Sequence, residues 1–271
     1  MILARHSADP IVQQFTAGTS GRVVSIVIAC CGQLEFTRLC LASVLRHSRS
    51  PYELILVDMA SLDGTAEYLA GLSDAGPVAI DVLHTASDAG VAAAYNAAIA
   101  QTRGEYVVLL TNDTIVTAHW LEHLVALADS SATIGVVGAM SNRAAAPQSV
   151  GAVPYRLSTT AISPNSPHGE DGWPAIDTEP VHRFAQQWAT ENRGQWFEAD
   201  RLSPFCLLFK RQVLNRVLPL EPDSFFTFNA DWVFRKVRES GFQIACCRDL
   251  FVHHFASRPL LSHSGNKSDR P

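Results

Sequence analysis

The first half of the chain alternates between short apolar runs and segments with helical periodicity. The runs at 23–29, 54–57 and 106–110 are rich in Val, Ile and Leu, which is typical of strands buried on both faces of a parallel sheet. A further strand is predicted at 78–83. The intervening segments place apolar side chains on one helical face. They occupy residues 36–44, 63–72 and 89–102. This alternation predicts an α/β fold with a mostly parallel, Rossmann-like sheet flanked by helices.

The second half is less regular, although helices and strands still alternate in it. The pattern predicts helices at 117–128, 181–190 and 230–240, and strands at 134–137, 205–209 and 242–246. Residues 144–175 lack periodicity, and a loop of that length in a compact domain is usually functional or mobile. Gly104 is expected to cap the helix that precedes it. We therefore expect a leader at 1–21, a single domain at 22–258 and a frayed tail at 259–271.

Composition narrows the class of protein. With 47% hydrophobic and 17% charged residues, the 271-residue chain is globular, and its net charge of −5 argues against nucleic acid as a partner. It contains neither a transmembrane stretch nor a recognisable secretion signal. Its six cysteines lie mostly in apolar runs without Cys-x-x-Cys spacing, as expected of buried reduced thiols. We expect a cytoplasmic protein, with peripheral association at a membrane surface left open.

Polar side chains follow two of the predicted strands. Asp58 ends the second strand, and Asn112 and Asp113 follow the fourth. Ligands of open α/β sheets bind outside the carboxyl ends of the strands, so this position makes these residues candidates for a site. A carboxylate and neighbouring oxygen groups suit a hard cation such as Mn²⁺ or Mg²⁺. The structural alternative is that each residue caps a helix or closes a turn.

Two further segments carry groups capable of chemistry. Asp231 follows an aromatic run, where shelter could raise the pKa of its carboxyl group and make it a general base. Its structural alternative is a residue at a helix N-terminus. His253 and His254 are adjacent on an extended segment, so their side chains point to opposite sides and one of them can face a site. Both could equally be surface or core histidines.

Several common motifs are absent from the sequence. No Gly-x-Gly-x-x-Gly follows the first strand, which disfavours a dinucleotide oxidoreductase. No Gly-rich loop ends in Lys-Ser or Lys-Thr, and no Gly-x-Ser-x-Gly elbow is present, which disfavours a P-loop enzyme and the simplest hydrolase.

Taken in order, the candidate segments resemble the inverting family 2 glycosyltransferases of GT-A fold. The resemblance covers about residues 23–258, and the order of its six motifs is more specific than any one of them. The motifs lie at 24–29, 56–65, 89–106, 112–121, 225–231 and 252–258. The chain departs from the family pattern at several of these motifs. Ala29 stands in place of Pro, Met59 and Ala60 replace a small polar pair, Asp88 stands in place of Asn, and Ala230 replaces the Glu of an acidic pair.

The resemblance implies a mechanism and a set of site residues. A sugar would pass from a nucleotide-sugar, UDP-linked first and GDP- or dTDP-linked second, to a hydroxyl of a carbohydrate, lipid-linked or protein acceptor, with inversion. Residues 22–140 would bind the donor and residues 141–258 the acceptor. The implied donor-binding residues are Ala29, Asp58, Asp88, Asn96 and Asn112. The implied metal ligands are Asp113 and His254, with His253 as the substitute. Asp231 would be the base, and Trp173 and Trp196 would contact the acceptor.

Two other classes stay open. A non-catalytic nucleotide-sugar-binding relative is suggested by Met59 and Ala230. A nucleotidyltransferase would share the metal and the α/β layout, but no Gly-rich basic loop follows the first strand to hold a triphosphate. The tryptophans, including Trp188, could instead close a small satellite core.

Overall fold

The computed structural model describes residues 23–49, 51–72, 78–86, 89–157, 176–224 and 227–256. The predicted leader and tail, the family motif residues Asp88, Phe225 and Phe226, and the acceptor candidate Trp173 lie outside the described residues. In the part of the chain that is described, no helix combines the length and hydropathy needed to cross a membrane.

An eight-stranded sheet forms the centre of a single α/β domain, with the strand order β3-β2-β1-β4-β8-β6-β11-β7. These strands are β1 Val24–Cys30, β2 Tyr52–Asp58, β3 Ala79–His84, β4 Tyr106–Thr111, β6 Ile134–Met140, β7 Trp196–Glu198, β8 Cys206–Lys210 and β11 Gln243–Phe251. The pairs β1–β2, β1–β4, β2–β3 and β6–β11 are parallel. Strand β8 is antiparallel to both β4 and β6, and β7 is antiparallel to β11. The predicted mostly parallel sheet is confirmed.

Helices cover both faces of this sheet. They are α1 Leu34–His47, α2 Thr65–Ala70, α3 Gly90–Ile99, α4 Trp120–Asp129, α5 Glu179–Glu191, α6 Arg211–Val217 and α7 Ala230–Glu239. Two short ribbons complete the described elements, formed by β5 Thr114–Ile115 with β12 His253–His254 and by β9 Pro222–Ser224 with β10 Thr227–Phe228.

The continuous apolar run of β1 is explained by burial on both of its faces. Ile26 and Ile28 join a core cluster with residues of α1, α2 and α4. Val27 and Ala29 join the opposite cluster with residues of α3, α6 and α7. Since successive side chains of a strand alternate between faces, a strand covered on both sides favours apolar residues at most positions. The exception in β1 is the buried Ser25, whose hydroxyl donates to Glu53 Oε1 at 2.6 Å.

Gly104 has a different role from the predicted helix cap. Helix α3 ends at Ile99, five residues before Gly104 and earlier than the predicted end. A Cβ atom at Gly104 would lie 2.5 Å from the carbonyl oxygen of Val23 and 2.7 Å from the backbone nitrogen of Ser25. Glycine is therefore required because the backbone entering β4 passes directly against the start of β1.

A small third core lies beside the β5–β12 ribbon. Ile115, Val181, Ala185 and Phe251 form it, and Trp188 packs against it. The ribbon pairs Thr114 with His254 in antiparallel register. This pairing brings the segment that contains His253 and His254 next to the residues just after β4.

Candidate active site at the carboxyl end of β4

Asp113 and His254 meet where β4 ends. His254 Nε2 lies 3.3 Å from Asp113 Oδ1, and the side chains are 17% and 7% exposed, respectively. The backbone N–H of Phe255 donates to the Asp113 carbonyl oxygen at 3.0 Å, which extends the pairing of the ribbon. The structure thus brings together the two residues predicted as metal ligands, which are separated by more than half of the chain.

The orientation of the His254 ring is set by its other contacts. Nδ1 lies 3.0 Å from the carbonyl oxygen of Arg143, and the ring stacks on Phe205 with centroids 5.2 Å apart. The backbone N–H of His254 donates to Asn142 Oδ1, and Asn142 Nδ2 donates to the His254 carbonyl oxygen. Because a carbonyl oxygen can only accept, Nδ1 is the nitrogen that carries hydrogen in the neutral ring.

This tautomer leaves a lone pair on Nε2 facing the carboxylate of Asp113. Two facing acceptors at 3.3 Å repel each other unless a proton or a cation lies between them. A metal-binding histidine commonly donates its second ring N–H to a backbone carbonyl, which is the role of Arg143 here. The residues therefore fit a divalent cation, and two protein ligands would leave positions for diphosphate oxygens and water.

The two adjacent histidines have opposite electrostatic environments. Burial lowers the pKa of His254, but the hydrogen bond and charge of Asp113 outweigh it, so the net pKa is raised. Burial, with the neighbouring His254 charge second, lowers the pKa of His253 to about 3. His253 Nδ1 contacts the Tyr155 hydroxyl at 2.9 Å. His254 is thus the histidine that faces Asp113, while His253 contacts Tyr155.

Asp58 lies at the end of β2, next to a histidine that the sequence reasoning missed. Asp58 Oδ1 accepts from the backbone N–H of Ser61 at 3.2 Å, and Oδ2 lies 3.4 Å from His84 Nδ1. The two residues are register partners at the ends of β2 and β3. The sequence does contain an indication of this contact: His84 follows the third predicted strand at the same position at which Asp58 follows the second.

The loop between β1 and α1 is held by groups from the neighbouring strand ends. The N–H of Gly32 donates to Ser61 Oγ at 2.8 Å, and the N–H of Leu34 donates to Asp63 Oδ2 at 2.9 Å. Asn112 Nδ2 donates to Thr37 Oγ1 at 2.9 Å and lies 3.3 Å from the Gly32 carbonyl oxygen. Asn112 therefore anchors this loop beside the end of β4.

The remaining donor candidates differ in their contacts. Ala29 is buried at the end of β1, between Val57 and Thr111 of the adjacent strands. Asn96 Nδ2 donates to the Leu220 carbonyl oxygen at 2.9 Å, and Asn96 Oδ1 accepts from the Leu220 N–H at 2.8 Å. This paired contact joins α3 to the segment before β9. A role in donor binding stays a prediction for both residues.

Asp231 lies in the first turn of α7, but it does not cap the helix. Asn229 is the cap, since its Oδ1 accepts from the Trp232 N–H at 2.9 Å. The Asp231 side chain is 73% exposed and lies 3.6 Å from Arg201 Nη1. The expected shelter among buried aromatic residues is wrong, because α7 turns this carboxylate towards solvent. Arg201 belongs to the loop that enters β8, four residues before the Phe205 that stacks on His254.

The described tryptophans have structural contacts. Trp188 Nε1 donates to the Arg248 carbonyl oxygen at 2.6 Å, and its ring packs near Phe184 in the third core. Trp196 is half-buried on β7, opposite Cys247 of β11. These contacts favour the satellite-core alternative for Trp188, and acceptor binding by Trp196 stays a prediction.

The sheet and the acidic strand ends define the class of protein as an α/β domain of GT-A architecture. A mannosyltransferase of Pyrobaculum calidifontis, solved with GDP-Man and Mn²⁺, matches 91% of this chain and 59% of its own at 17% identity and a TM-score of 0.59. GalNAc-T7, solved with UDP, GalNAc and Mn²⁺, matches 87% of this chain and 44% of its own at 14% identity and a TM-score of 0.61. At these identities the likeness shows the fold alone.

The chain belongs to glycosyl transferase family 2, whose sequence model matches residues 25–218. The uncharacterized protein y4gI of Sinorhizobium fredii is 27% identical over 241 residues, which is 87% of this chain and 25% of that protein. The chain spans about a third of the length of two further curated relatives that it matches.

Proposed function

We propose that this protein is a metal-dependent glycosyltransferase that transfers a sugar from a nucleotide-sugar donor to an acceptor hydroxyl with inversion at the anomeric carbon. The observation that carries the proposal is the Asp113–His254 pair, oriented by the Arg143 carbonyl at the carboxyl end of β4. Membership of glycosyl transferase family 2 supports the reaction class.

Asp113 and His254 hold the divalent cation, either Mn²⁺ or Mg²⁺. The cation supplies Lewis-acid stabilisation of charge on the departing nucleoside diphosphate. The Mn²⁺ in the solved mannosyltransferase and GalNAc-T7 complexes supports a divalent ion in this fold. Asp113 is the more important ligand because its carboxylate offers a hard anionic oxygen, which both candidate ions prefer.

Asp58 binds the base or ribose of the donor at the end of β2, with His84 beside it. The carboxylate is buried and anchored by the Ser61 N–H, so its position is fixed before the donor arrives. Asn112 supports the adjoining loop, and Ala29 contacts the donor from the end of β1. UDP-sugars are the first expected donors, followed by GDP- and dTDP-sugars, and both UDP and GDP-Man occur in the similar structures.

Asp231 accepts the proton of the acceptor hydroxyl. Its exposure lets an acceptor approach from solvent, and its contact with Arg201 holds the carboxylate near the loop that enters β8. A single displacement on the face opposite the diphosphate inverts the anomeric centre, so one general base suffices. The acceptor is a hydroxyl of a carbohydrate, a lipid-linked sugar or a protein.

The decisive experiment measures thermal stabilisation by a panel of nucleoside diphosphates, with and without Mn²⁺. A ligand at 100 times its Kd stabilises the native state by about 2.7 kcal/mol, which is a shift of roughly 5 to 10 °C for a domain of this size. The expected result is a Mn²⁺-dependent shift with one diphosphate that disappears in Asp113→Ala. The matched control is Asp249→Asn, which alters another buried Asp–His pair and should keep the shift.

Other outcomes separate the remaining classes. A shift without any sugar transfer or donor hydrolysis would identify a non-catalytic binding relative, for which Met59 and Ala230 are the motivating features. Release of pyrophosphate from a nucleoside triphosphate would identify a nucleotidyltransferase. Absence of any diphosphate shift, with the protein folded, would contradict the proposed donor site.

A further inference from the structure

A second cluster of metal-binding side chains lies between α4 and β11, outside the proposed active site. His123 belongs to the first part of α4, and Cys247 and Asp249 are two residues apart on β11, so they project from the same face of the strand. The donor atoms of the three side chains all lie within 4.8 Å of one another. Cys247 Sγ is 3.1 Å from Asp249 Oδ1, and His123 Nδ1 is 3.2 Å from the same oxygen.

These separations are close to those of ligands around one tetrahedral zinc ion. Bond lengths of about 2.3 Å to sulfur and about 2.0 to 2.2 Å to nitrogen or oxygen place neighbouring ligand atoms roughly 3.3 to 3.6 Å apart. The observed distances are a few tenths of an ångström shorter, because hydrogen bonds draw the atoms together. A small outward movement would admit the ion.

The cluster also has two other features of a metal site: a hydrogen-bond donor that orients a ligand, and a path from solvent for the ion. Asp249 Oδ2 accepts from the Gly194 N–H at 2.7 Å, which orients the carboxylate as partners of metal ligands commonly do. Cys247 and Asp249 are buried, whereas the His123 side chain is 24% exposed. His123 therefore marks the side from which an ion and a water ligand would enter.

We infer that His123, Cys247 and Asp249 form a zinc site that clamps α4 to β11. Thiolate and imidazole together select zinc over the hard cations that suit Asp113 and His254. On binding, the Cys247 S–H bond breaks, a Zn–S bond forms and the proton leaves to solvent. Asp249 binds as a carboxylate, and His123 binds through Nδ1 with its hydrogen on Nε2. The two anionic ligands neutralise the ion, and water takes the fourth position.

A zinc ion bound here would stabilise the position of β11, the strand that leads to the proposed active site. Strand β11 ends at Phe251, and Val252 alone connects it to β12, which contains His254. Burial and the charge of Asp249 raise the pKa of the Cys247 thiol, so the thiol is protonated without metal and a bound cation reverses that preference. The zinc site does not depend on the protein being a glycosyltransferase.

The test uses Co²⁺ as a spectroscopic substitute for zinc, in the Asp113→Ala background so that the other candidate site is removed. The expected result is one equivalent of Co²⁺ bound with a thiolate-to-cobalt charge-transfer band, and displacement of that band by Zn²⁺. Cys247→Ser should abolish the band, while Cys246→Ser, on the opposite face of β11, should keep it. His123→Ala should weaken Co²⁺ binding by more than about 10-fold, since even loss of an outer partner has that effect.

Protein melting curves without metal establish that each variant is folded. His123→Ala is the safer variant, because its side chain is partly exposed on a helix. The inference is overturned if the background protein shows no charge-transfer band at saturating Co²⁺. It is also overturned if the band survives in folded Cys247→Ser, or if folded His123→Ala binds Co²⁺ with unchanged affinity.

Discussion

Two buried Asp–His pairs in this protein have nearly the same separation and different surroundings. Asp113 Oδ1 lies 3.3 Å from His254 Nε2, and Asp249 Oδ1 lies 3.2 Å from His123 Nδ1. His254 is held by a backbone carbonyl that requires Nδ1 to donate, whereas Asp249 also accepts from the Gly194 N–H and the Cys247 thiol. The distance within a pair therefore says little about its role, and the remaining partners decide it.

The two Asp–His pairs also differ in their position relative to the central sheet. Asp113 lies two residues after the end of β4, at the carboxyl edge where ligands of parallel sheets bind. Asp249 lies within β11 and is covered by α4. The first pair can meet a diphosphate, and the second can connect two elements of the fold. Oxygen and nitrogen ligands suit Mn²⁺ or Mg²⁺ at the first pair, and the additional thiol suits zinc at the second.

The largest expected difference between the pairs is in catalysis. Asp113→Asn should lower kcat/KM for sugar transfer by at least ~10⁴-fold, because loss of Lewis-acid stabilisation removes several kcal/mol and each 1.36 kcal/mol is tenfold. Asp249→Asn should change it less than about tenfold. Steady-state assays with Mn²⁺ at a temperature where both variants are folded make the comparison. Equal losses would show that the Asp113–His254 pair has no special part in the reaction.

A substitution of Asp231 tests whether the reaction needs a carboxylate outside the two Asp–His pairs. Asp231→Asn should lower kcat by about 10²- to 10⁴-fold, the usual contribution of a general base, while leaving diphosphate binding unchanged. Asp200→Asn is the control, since Asp200 is also exposed and precedes Arg201 directly. Full turnover in Asp231→Asn would remove the residue from the mechanism.

The effects of the two substitutions on the free energy of unfolding should be in the opposite order to their effects on catalysis. In Asp249→Asn the new amide N–H₂ must face donors from Gly194, Cys247 or His123, so the variant should lose about 1 to 3 kcal/mol. That corresponds to roughly 2 to 12 °C in Tm. Asp113→Asn should lower the stability of the metal-free protein by less. Neutral His254 presents the Nε2 lone pair to the Asp113 carboxylate, so the substitution removes a repulsive contact as well as favourable ones. Calorimetry with a chelator present measures both, and a smaller loss for Asp249→Asn would contradict the assigned partners.

The smallest expected effect is a pH dependence of opposite sign for the two pairs in metal-free protein. The pKa of His254 is raised by Asp113 against the effect of burial, so its contribution to stability is present below about pH 6.5 and is lost as pH rises through the folded value. The pKa of Asp249 is lowered by His123 and the other donors, also against burial. Its contribution is present above about pH 3.9 and is lost as pH falls through the folded value.

Melting curves of His254→Gln and Asp249→Asn against wild type measure this difference. The penalty of His254→Gln should be greater at pH 6 than at pH 9, and that of Asp249→Asn should decrease below pH 4. Penalties that do not change with pH would show that neither group titrates differently on folding.

Local sequence patterns predicted the longer strands and helices, because each of these depends on neighbours along the chain. They did not predict helix α6 or strand β7, which are short. The alternation of Ile26 and Ile28 with Val27 and Ala29 indicates burial on both faces of β1, wherever the covering helices come from. Strand-end positions likewise predicted Asp58 and Asp113, since the carboxyl edge of a parallel sheet follows from strand direction alone. The Gly104 prediction was wrong because a close contact between β4 and β1 cannot be inferred from the adjacent residues.

The order of the long strands and helices, the resemblance to a known family and the candidate carboxylates could all be predicted from local sequence patterns. The tertiary structure alone decided which histidine meets Asp113, because the β5–β12 register turns His254 towards it and His253 towards Tyr155. It also placed His84 beside Asp58, turned Asp231 to solvent, and brought His123 to Cys247 across 124 positions of chain. Such contacts depend on strand register and helix docking, which are properties of the whole packed domain and have no local signature.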